Sequence, residues 1–317
     1  MEKFVVSASP HLRDETTTQT LMKRVCFACI PAVLASVLIF GIRSLILICV
    51  SVAAAVAFEA LWNLLRKQEQ TVGDLSAVVT GILLAFNVPA DLPVWMLVIG
   101  DFIAIIVVKQ LFGGIGYNFA NPAIVARIVL SLSFTGQMTP KPFSAAEIDA
   151  LASATPLAAA SQLEETPYVT LLLGTHGGVL GETCAIALLL GGIYLIVTKT
   201  ISAAIPVSML LGTAGMCVLC GHGDQILLQL LSGGLLLGAF YMATDYVTSP
   251  YTFWGRVVYG LGAAVLTCVI RFYAPMAEGM SYAILLMNIV TPYINRGIRQ
   301  RPLGVGLLRK KRGDRKE

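Results

Sequence analysis

Long apolar runs, separated by short polar stretches, follow one another along most of the chain. Ten can be delimited, at residues 22–41, 44–65, 74–88, 92–112, 121–135, 179–197, 203–220, 226–243, 256–273 and 279–296. Most come close to the ~20 residues that a helix needs to cross the hydrocarbon of a bilayer. The runs at 74–88 and 121–135 are shorter and sit beside Gly and Pro. Short, interrupted helices of that kind surround the site in transporter-like bundles. The pattern predicts an all-α integral membrane protein of about ten transmembrane helices, some of them broken. It divides the chain into an N-terminal segment (1–21), a five-helix set (22–135), a long loop (136–178), a second five-helix set (179–298) and a basic tail (299–317).

Composition agrees. Of 317 residues, 56% are hydrophobic and only 13% charged, about half the ~25% of soluble domains. That excludes a disordered chain, a nucleic-acid module and an ordinary soluble enzyme. The formal net charge of +4 matters less than where the charges fall. Eighteen of the 22 Lys and Arg lie in the termini and in the loops that share their side, and three lie in the opposite loops. By the positive-inside rule both termini are cytoplasmic and the loop 136–178 is extracytoplasmic. The tail from Arg296 to Lys316 reads as a positive-inside anchor. The polar stretch from Met1 to Thr20 does not resemble a cleavable signal, so the first apolar run is expected to be retained.

Two short matches point to an internal repeat. Ala85-Phe86 with Asp91 recurs as Ala239-Phe240 with Asp245, and Asn118 with Pro122 recurs as Asn288 with Pro292. With five runs in each half, the second repeat must be inverted relative to the first, an arrangement that places a site near the midplane between halves.

Ionisable side chains within the runs are costly in hydrocarbon and usually functional. They are Glu59, Asp101, Arg127 and Asp245, with Asp91 near an edge. Asp101 either pairs with a basic residue of another helix, Arg127 for instance, or serves a cation or proton path together with Glu59. The seven cysteines include two Cys-x-x-Cys pairs, Cys26/Cys29 and Cys217/Cys220, with no further ligand at zinc spacing. Helix packing is the expected role of such small side chains. His11, His176 and His222 lie in polar or loop contexts.

Three segments carry chemistry. In the long loop, Asp149-Ala150-Leu151-Ala152-Ser153-Ala154-Thr155-Pro156 is a small-residue turn with an open hydroxyl at Thr155, which suits an acceptor of covalent modification. Gly113-Gly114-Ile115-Gly116 lacks the spacing and preceding strand of a dinucleotide fingerprint. Its glycines serve either close helix packing or, with Asn118 and Asn121 at a helix mouth, a polar ligand edge or phosphate. The third segment is Gly238-Ala239-Phe240-Tyr241-Met242-Ala243-Thr244-Asp245.

With these segments the chain resembles the family of the D-type subunit of the Rnf ion-translocating electron-transport complex, whose sister is the B-type subunit of the sodium-pumping NADH:quinone reductase. That family's flavinylation motif is Asp-x-x-(Ser/Thr)-(Gly/Ser)-Ala-Thr. Asp149, Ser153, Ala154 and Thr155 match it in register, and Ala152 departs where Ser or Thr is usual. The Gly113–Ala123 and Gly238–Asp245 segments are similar to two further family signatures. The resemblance implies FMN bound to Thr155 through a phosphoester, with Ser153 and Ala154 around it. It marks Asn118, Asn121, Thr244 and Asp245 as further cofactor-binding candidates and allows a noncovalent riboflavin that no residue here establishes. It implies one component of a translocase, not a complete enzyme, in a bacterial or archaeal plasma membrane. There it would couple electron flow between ferredoxin and NAD to Na⁺ or H⁺ export. Its implied partners are a second covalent-flavin subunit and the subunits that handle ferredoxin and NAD. A non-redox channel or carrier with an inverted-repeat fold is the alternative that the topology alone would also fit.

Overall fold

A computed structural model describes residues 16–139, 167–174, 177–274 and 279–299. The described residues are all-helical, and a helix lies on every one of the ten apolar runs. Helix α1 (Thr18–Phe40) starts at Thr17, whose hydroxyl accepts from the Thr20 amide at 3.2 Å, satisfying one of the free amides of a first turn. Gly41, at φ 76°, turns the chain directly into α2 (Ile42–Arg66). The short α3 (Ser76–Phe86) follows Asp74, whose Oδ1 accepts from the Ser76 amide at 2.7 Å. Helix α4 (Val94–Phe102) continues without a break into a π-helical stretch, Ile103–Gln110. Helix α5 (Pro122–Ser133) begins with proline at its first position and Asn121 as its cap, the preferred chemistry for a helix start. Two short helices follow, α6 (Thr135–Met138) and α7 (Tyr168–Leu173).

In the second half, α8 (Ala185–Val197) and α9 (Ala204–Leu219) precede a broken element. It consists of α10 (Ile226–Leu231), the single turn α11 (Leu235–Leu237) and a second π-helical stretch, Gly238–Met242. The two arms of this element bend by 67° at the break. Helices α12 (Phe253–Tyr273) and α13 (Met280–Gly297) close the fold.

By length and composition α1, α2 and α12 can each cross a membrane, and the bent α10–α11 element counts as a fourth span if taken as one. Helices α3, α5, α8 and α9 are apolar but shorter. Short helices leave backbone groups unpaired inside hydrocarbon unless other protein groups meet them. At the end of α3, Phe86 and Val88 carbonyls accept from the amides of Gly181 and Leu180 at 2.9 and 3.1 Å. At the α10–α11 break, Arg271 donates to the carbonyls of Gln229 (2.8 Å) and Ser232 (3.1 Å). Each break is thus closed by a segment distant in sequence.

The polarity of the bundle is that of a protein in lipid. Leu38, Leu65, Val197 and Leu219 are exposed, whereas Glu59, Asp101, Lys109, Arg127 and Glu182 are buried, the reverse of the soluble pattern. Helices pack most extensively as α9 on α12, α2 on α3 and α1 on α8. Each of these crossings has a glycine where a Cβ would meet the partner's backbone. A Cβ on Gly81 would lie 2.9 Å from Val52 Cα, one on Gly260 2.9 Å from the Ile205 carbonyl, and one on Gly191 against the Ala28 carbonyl. Close backbone approach at small residues is how helices associate where no hydrophobic effect drives them together.

Candidate functional site

The N-terminal parts of α1, α3 and α5, the C-terminal ends of the α4 π-stretch and of α8, and the chain from Phe240 to Val247 surround a cavity of about 370 Å³, within the usual range for small-molecule sites. Leu21, Met22, Val25, Val79, Leu83 and Leu195 supply apolar wall, and Phe240, Tyr241 and Tyr246 supply rings. Asn118, Asn121, Thr244 and Asp245 lie on the same cavity. Four candidates, from two segments more than a hundred residues apart in the chain, are therefore brought together from both halves.

Their hydrogen bonds sort them. Asn121 Oδ1 accepts from the amides of Ala123 (3.0 Å) and Ile124 (3.4 Å), and its Nδ2 donates to the Met242 carbonyl at 3.3 Å. It spends its amide on capping α5 and tying it to the second half, so it shapes the cavity. Asn118 Nδ2 donates to the Ala120 carbonyl at 3.1 Å, which orients its side chain within the Gly-rich turn. Thr244 Oγ1 donates to the Phe240 carbonyl at 2.7 Å, and Asp245 Oδ2 accepts from Thr248 Oγ1 at 3.1 Å. Gly113, Gly114 and Gly116 have φ of 118°, 90° and 94°, where L side chains are strained. A Cβ on Gly116 would meet nothing within 4 Å. Backbone conformation beside the cavity, and not close helix packing, accounts for these glycines.

Lys109 also lines the cavity, and sequence reasoning did not select it. Its ammonium is 2.8 Å from Glu59 Oε2 and 2.5 Å from Ser76 Oγ. Thr71 Oγ1 donates to Glu59 Oε1 at 2.6 Å and accepts from Asn63 Nδ2 at 2.9 Å. The available signal was a lone cation in an apolar run just before the glycines. Glu59 is therefore one half of a buried ion pair and reaches the cavity only through Lys109.

Arg127 does not meet Asp101. Its Nη1 donates to Asn87 Oδ1 (2.8 Å) and Ser281 Oγ (2.9 Å) and forms an ion pair with Glu182 Oε1 at 3.0 Å. The pairing of Asp101 with Arg127 that sequence offered as one alternative is thus replaced by Arg127 with Glu182. The reason is placement: Glu182 sits in the segment that closes the end of α3, where Asn87 already lies. Asp101 accepts from Ser51 Oγ at 2.7 Å and lies away from the cavity. Asp91 is exposed, and its carbonyl accepts from Arg43.

The seven cysteines are free thiols, three of them (Cys29, Cys217 and Cys268) buried. His222 stacks on Phe272 with ring centroids 4.7 Å apart. In the first half Asn118 and Pro122 lie before and at the start of α5, whereas Asn288 and Pro292 lie inside α13. Ser153, Ala154 and Thr155, with His11 and His176, fall outside the described residues. The cavity combines apolar and aromatic wall with the polar groups of Asn118, Asn121, Thr244 and Asp245.

Residues 5–304 match the NQR2, RnfD, RnfE family. The chain is 44% identical over 312 residues to the D-type subunit of a Na⁺-translocating ferredoxin:NAD⁺ oxidoreductase complex from Acetobacterium woodii, covering 97% of each chain. It is 40% identical to the D-type subunit of a proton-translocating ferredoxin:NAD⁺ oxidoreductase complex from Clostridium ljungdahlii, covering 92% of this chain and 94% of that one. It is 34% identical to the D-type subunit of an ion-translocating oxidoreductase complex from Actinobacillus succinogenes, covering 96% and 99%. With both the match and these relatives running nearly end to end, the chain belongs to the NQR2, RnfD, RnfE family.

Proposed function

We propose that this chain is the flavin-carrying membrane subunit of a complex that couples electron transfer between ferredoxin and NAD to export of Na⁺ or H⁺. The observation that carries the reading is the cavity built from both halves of the chain by Asn118, Asn121, Thr244 and Asp245, in a protein whose full-length relatives bear that activity in their names. A flavin supplies the redox chemistry, and the protein positions it and excludes competing reactions. One flavin, FMN, is held by a phosphoester to Thr155 beside Ser153 and Ala154. A second, noncovalent flavin such as riboflavin occupies the cavity. There Phe240 and Tyr241 would hold its apolar part, and Asn118, Thr244 and Asp245 would supply hydrogen-bonding groups to its polar part. Lys109 lies on the same wall with its charge balanced by Glu59. Ferredoxin and NAD are handled by other subunits of the complex.

The ten helical runs are read as ten crossings in two five-helix repeats of opposite orientation, 22–135 and 179–298. The loop 136–178 then lies outside and both termini lie in the cytoplasm. Asp101 and Glu59 are the candidates for the ion step.

Flavin analysis of the purified complex tests the reading. Acid precipitation should release a noncovalent flavin and leave a fluorescent band on the denatured chain, with FMN less water on a peptide that contains Thr155. Thr155→Val should abolish the band and keep the released flavin. Asn118→Leu should do the opposite. A complex that contains neither flavin would refute the proposal in favour of a non-redox carrier.

A further inference from the structure

Five charged side chains are buried in the described residues, and four of them form two ion pairs: Glu59 with Lys109 and Arg127 with Glu182. Asp101 is the fifth. It is 0% exposed, its Oδ1 accepts from Ser51 Oγ at 2.7 Å, and its Oδ2 has no hydrogen-bond partner. The ionisable groups of the elements packed on α4 are engaged or turned away. On α2, Glu59 is held by Lys109, Arg43 by the Asp91 carbonyl and Arg66 by the Trp62 ring, and Cys49 is exposed. Helix α3 carries no ionisable side chain, and Arg127 of α5 is bound to Asn87, Ser281 and Glu182. Lys109, on the π-stretch that continues α4, is spent on Glu59 and Ser76.

An unpaired carboxylate inside hydrocarbon is strongly unfavourable, so this side chain calls for a bound cation. A dehydrated metal ion needs a ring of oxygens in place of its water shell. Here the neighbours in hydrogen-bond contact are the Ser51 hydroxyl and, through it at 2.9 Å, the Gly81 carbonyl. A proton needs no such ring, and the Oδ2 without a partner is enough to carry it. We propose that Asp101 is a proton-binding station inside the membrane, held between α2, α3 and α4.

Its surroundings form a second rung. Ser51 and Asp101 each precede Glu59 and Lys109 by eight residues on their own helices, about two turns. Between the rungs Ala55, Ala77 and Ile105, all 0–1% exposed, form a small hydrophobic cluster of their own. This dry plug separates the station from the polar chain Lys109–Glu59–Thr71, which ends at an exposed residue. A proton bound at Asp101 is therefore insulated until the packing opens. The π-helical stretch that carries Ile105 is a conformation concentrated at functional sites. This inference deepens the ion-translocation reading and rests on it for the direction of transport, not for the site.

Dicyclohexylcarbodiimide, which attacks protonated carboxyls in apolar surroundings, tests it on the wild-type complex in its membrane. Peptide mass spectrometry should find the adduct on Asp101 and none on ion-paired Glu59. Labelling should fall as pH rises and be unchanged by NaCl at fixed pH. Absence of the adduct at every pH would overturn the proposal, and suppression by NaCl would replace the proton by Na⁺. Asp101→Asn should assemble with its flavins yet lose ion transport. Undiminished transport in that variant would also overturn the station. An adduct in a complex with no flavin would refute the functional reading alone, and an active complex without the adduct would refute the station alone.

Discussion

Lys109→Met is the sharpest test of how dry the region beside the cavity is. Glu59 is 0% exposed and Lys109 3%, with 2.8 Å between their charged atoms. Removing the ammonium leaves the Glu59 carboxylate with one partner, the Thr71 hydroxyl at 2.6 Å. Stranding one member of a buried pair costs about 3–5 kcal/mol, which is about two to nearly four powers of ten in the folded-to-unfolded ratio. Glu59→Gln strands the ammonium in the same way, leaving it Ser76 Oγ at 2.5 Å. The double variant Glu59→Gln/Lys109→Met strands no charge and keeps similar volume. Its cost should be under about 2 kcal/mol, because replacing a whole buried pair is often close to neutral. The assay is the fraction of detergent-solubilised protein that stays monodisperse after heating, read by fluorescence-detected size exclusion for all four proteins. The expected order is wild type, then the double variant, then both single variants well below. Single variants within about 0.5 kcal/mol of wild type, the usual effect of a surface change, would show that water reaches the pair. A double variant as poor as the sum of the singles would show that the two charges do not interact.

Other expectations are quicker to state. Asp101→Asn should leave thermal stability unchanged or raised in the same assay, since it strands no partner charge and Ser51 can still donate to the amide oxygen; a loss like that of Lys109→Met would reveal a counter-charge. Gly81→Val should cost about 1–3 kcal/mol, because its first carbon would fall 2.9 Å from the α2 backbone; a stable variant would mean that α2 and α3 are further apart. Asn121→Ala should cost about 1 kcal/mol as a lost cap and also lower noncovalent flavin content by loosening α5 from Met242. A reporter fused at Leu163 should read as extracytoplasmic and one at Gly313 as cytoplasmic; both on one side would refute the proposed topology.

Much of this was legible in the linear sequence. Apolar runs near the length of a bilayer crossing determine where helices lie, because hydrocarbon leaves the backbone no partner except itself, and a helix lies on each of the ten runs. Family membership was legible too, since short segments such as Gly113–Ala123 keep their order along the chain. What each residue of those segments does was not. Asn121 read as a ligand donor, and the fold spends it on a helix cap and a tie to Met242. The glycines read equally as packing or cofactor residues, and the fold gives them a backbone reason, a positive φ, that the sequence did not show. Charge partners were beyond the sequence as well. Arg127 finds Glu182, Glu59 finds Lys109, and Asp101 finds no opposite charge. Helical spacing reports neighbours along one helix, whereas these pairs span 50 or more residues and depend on how the helices cross. The close crossings at Gly81, Gly191 and Gly260, together with breaks capped by remote segments, set which side chains meet. In lipid, where apolar surface does not drive helices together, such contacts decide the arrangement, and only the tertiary structure contains them.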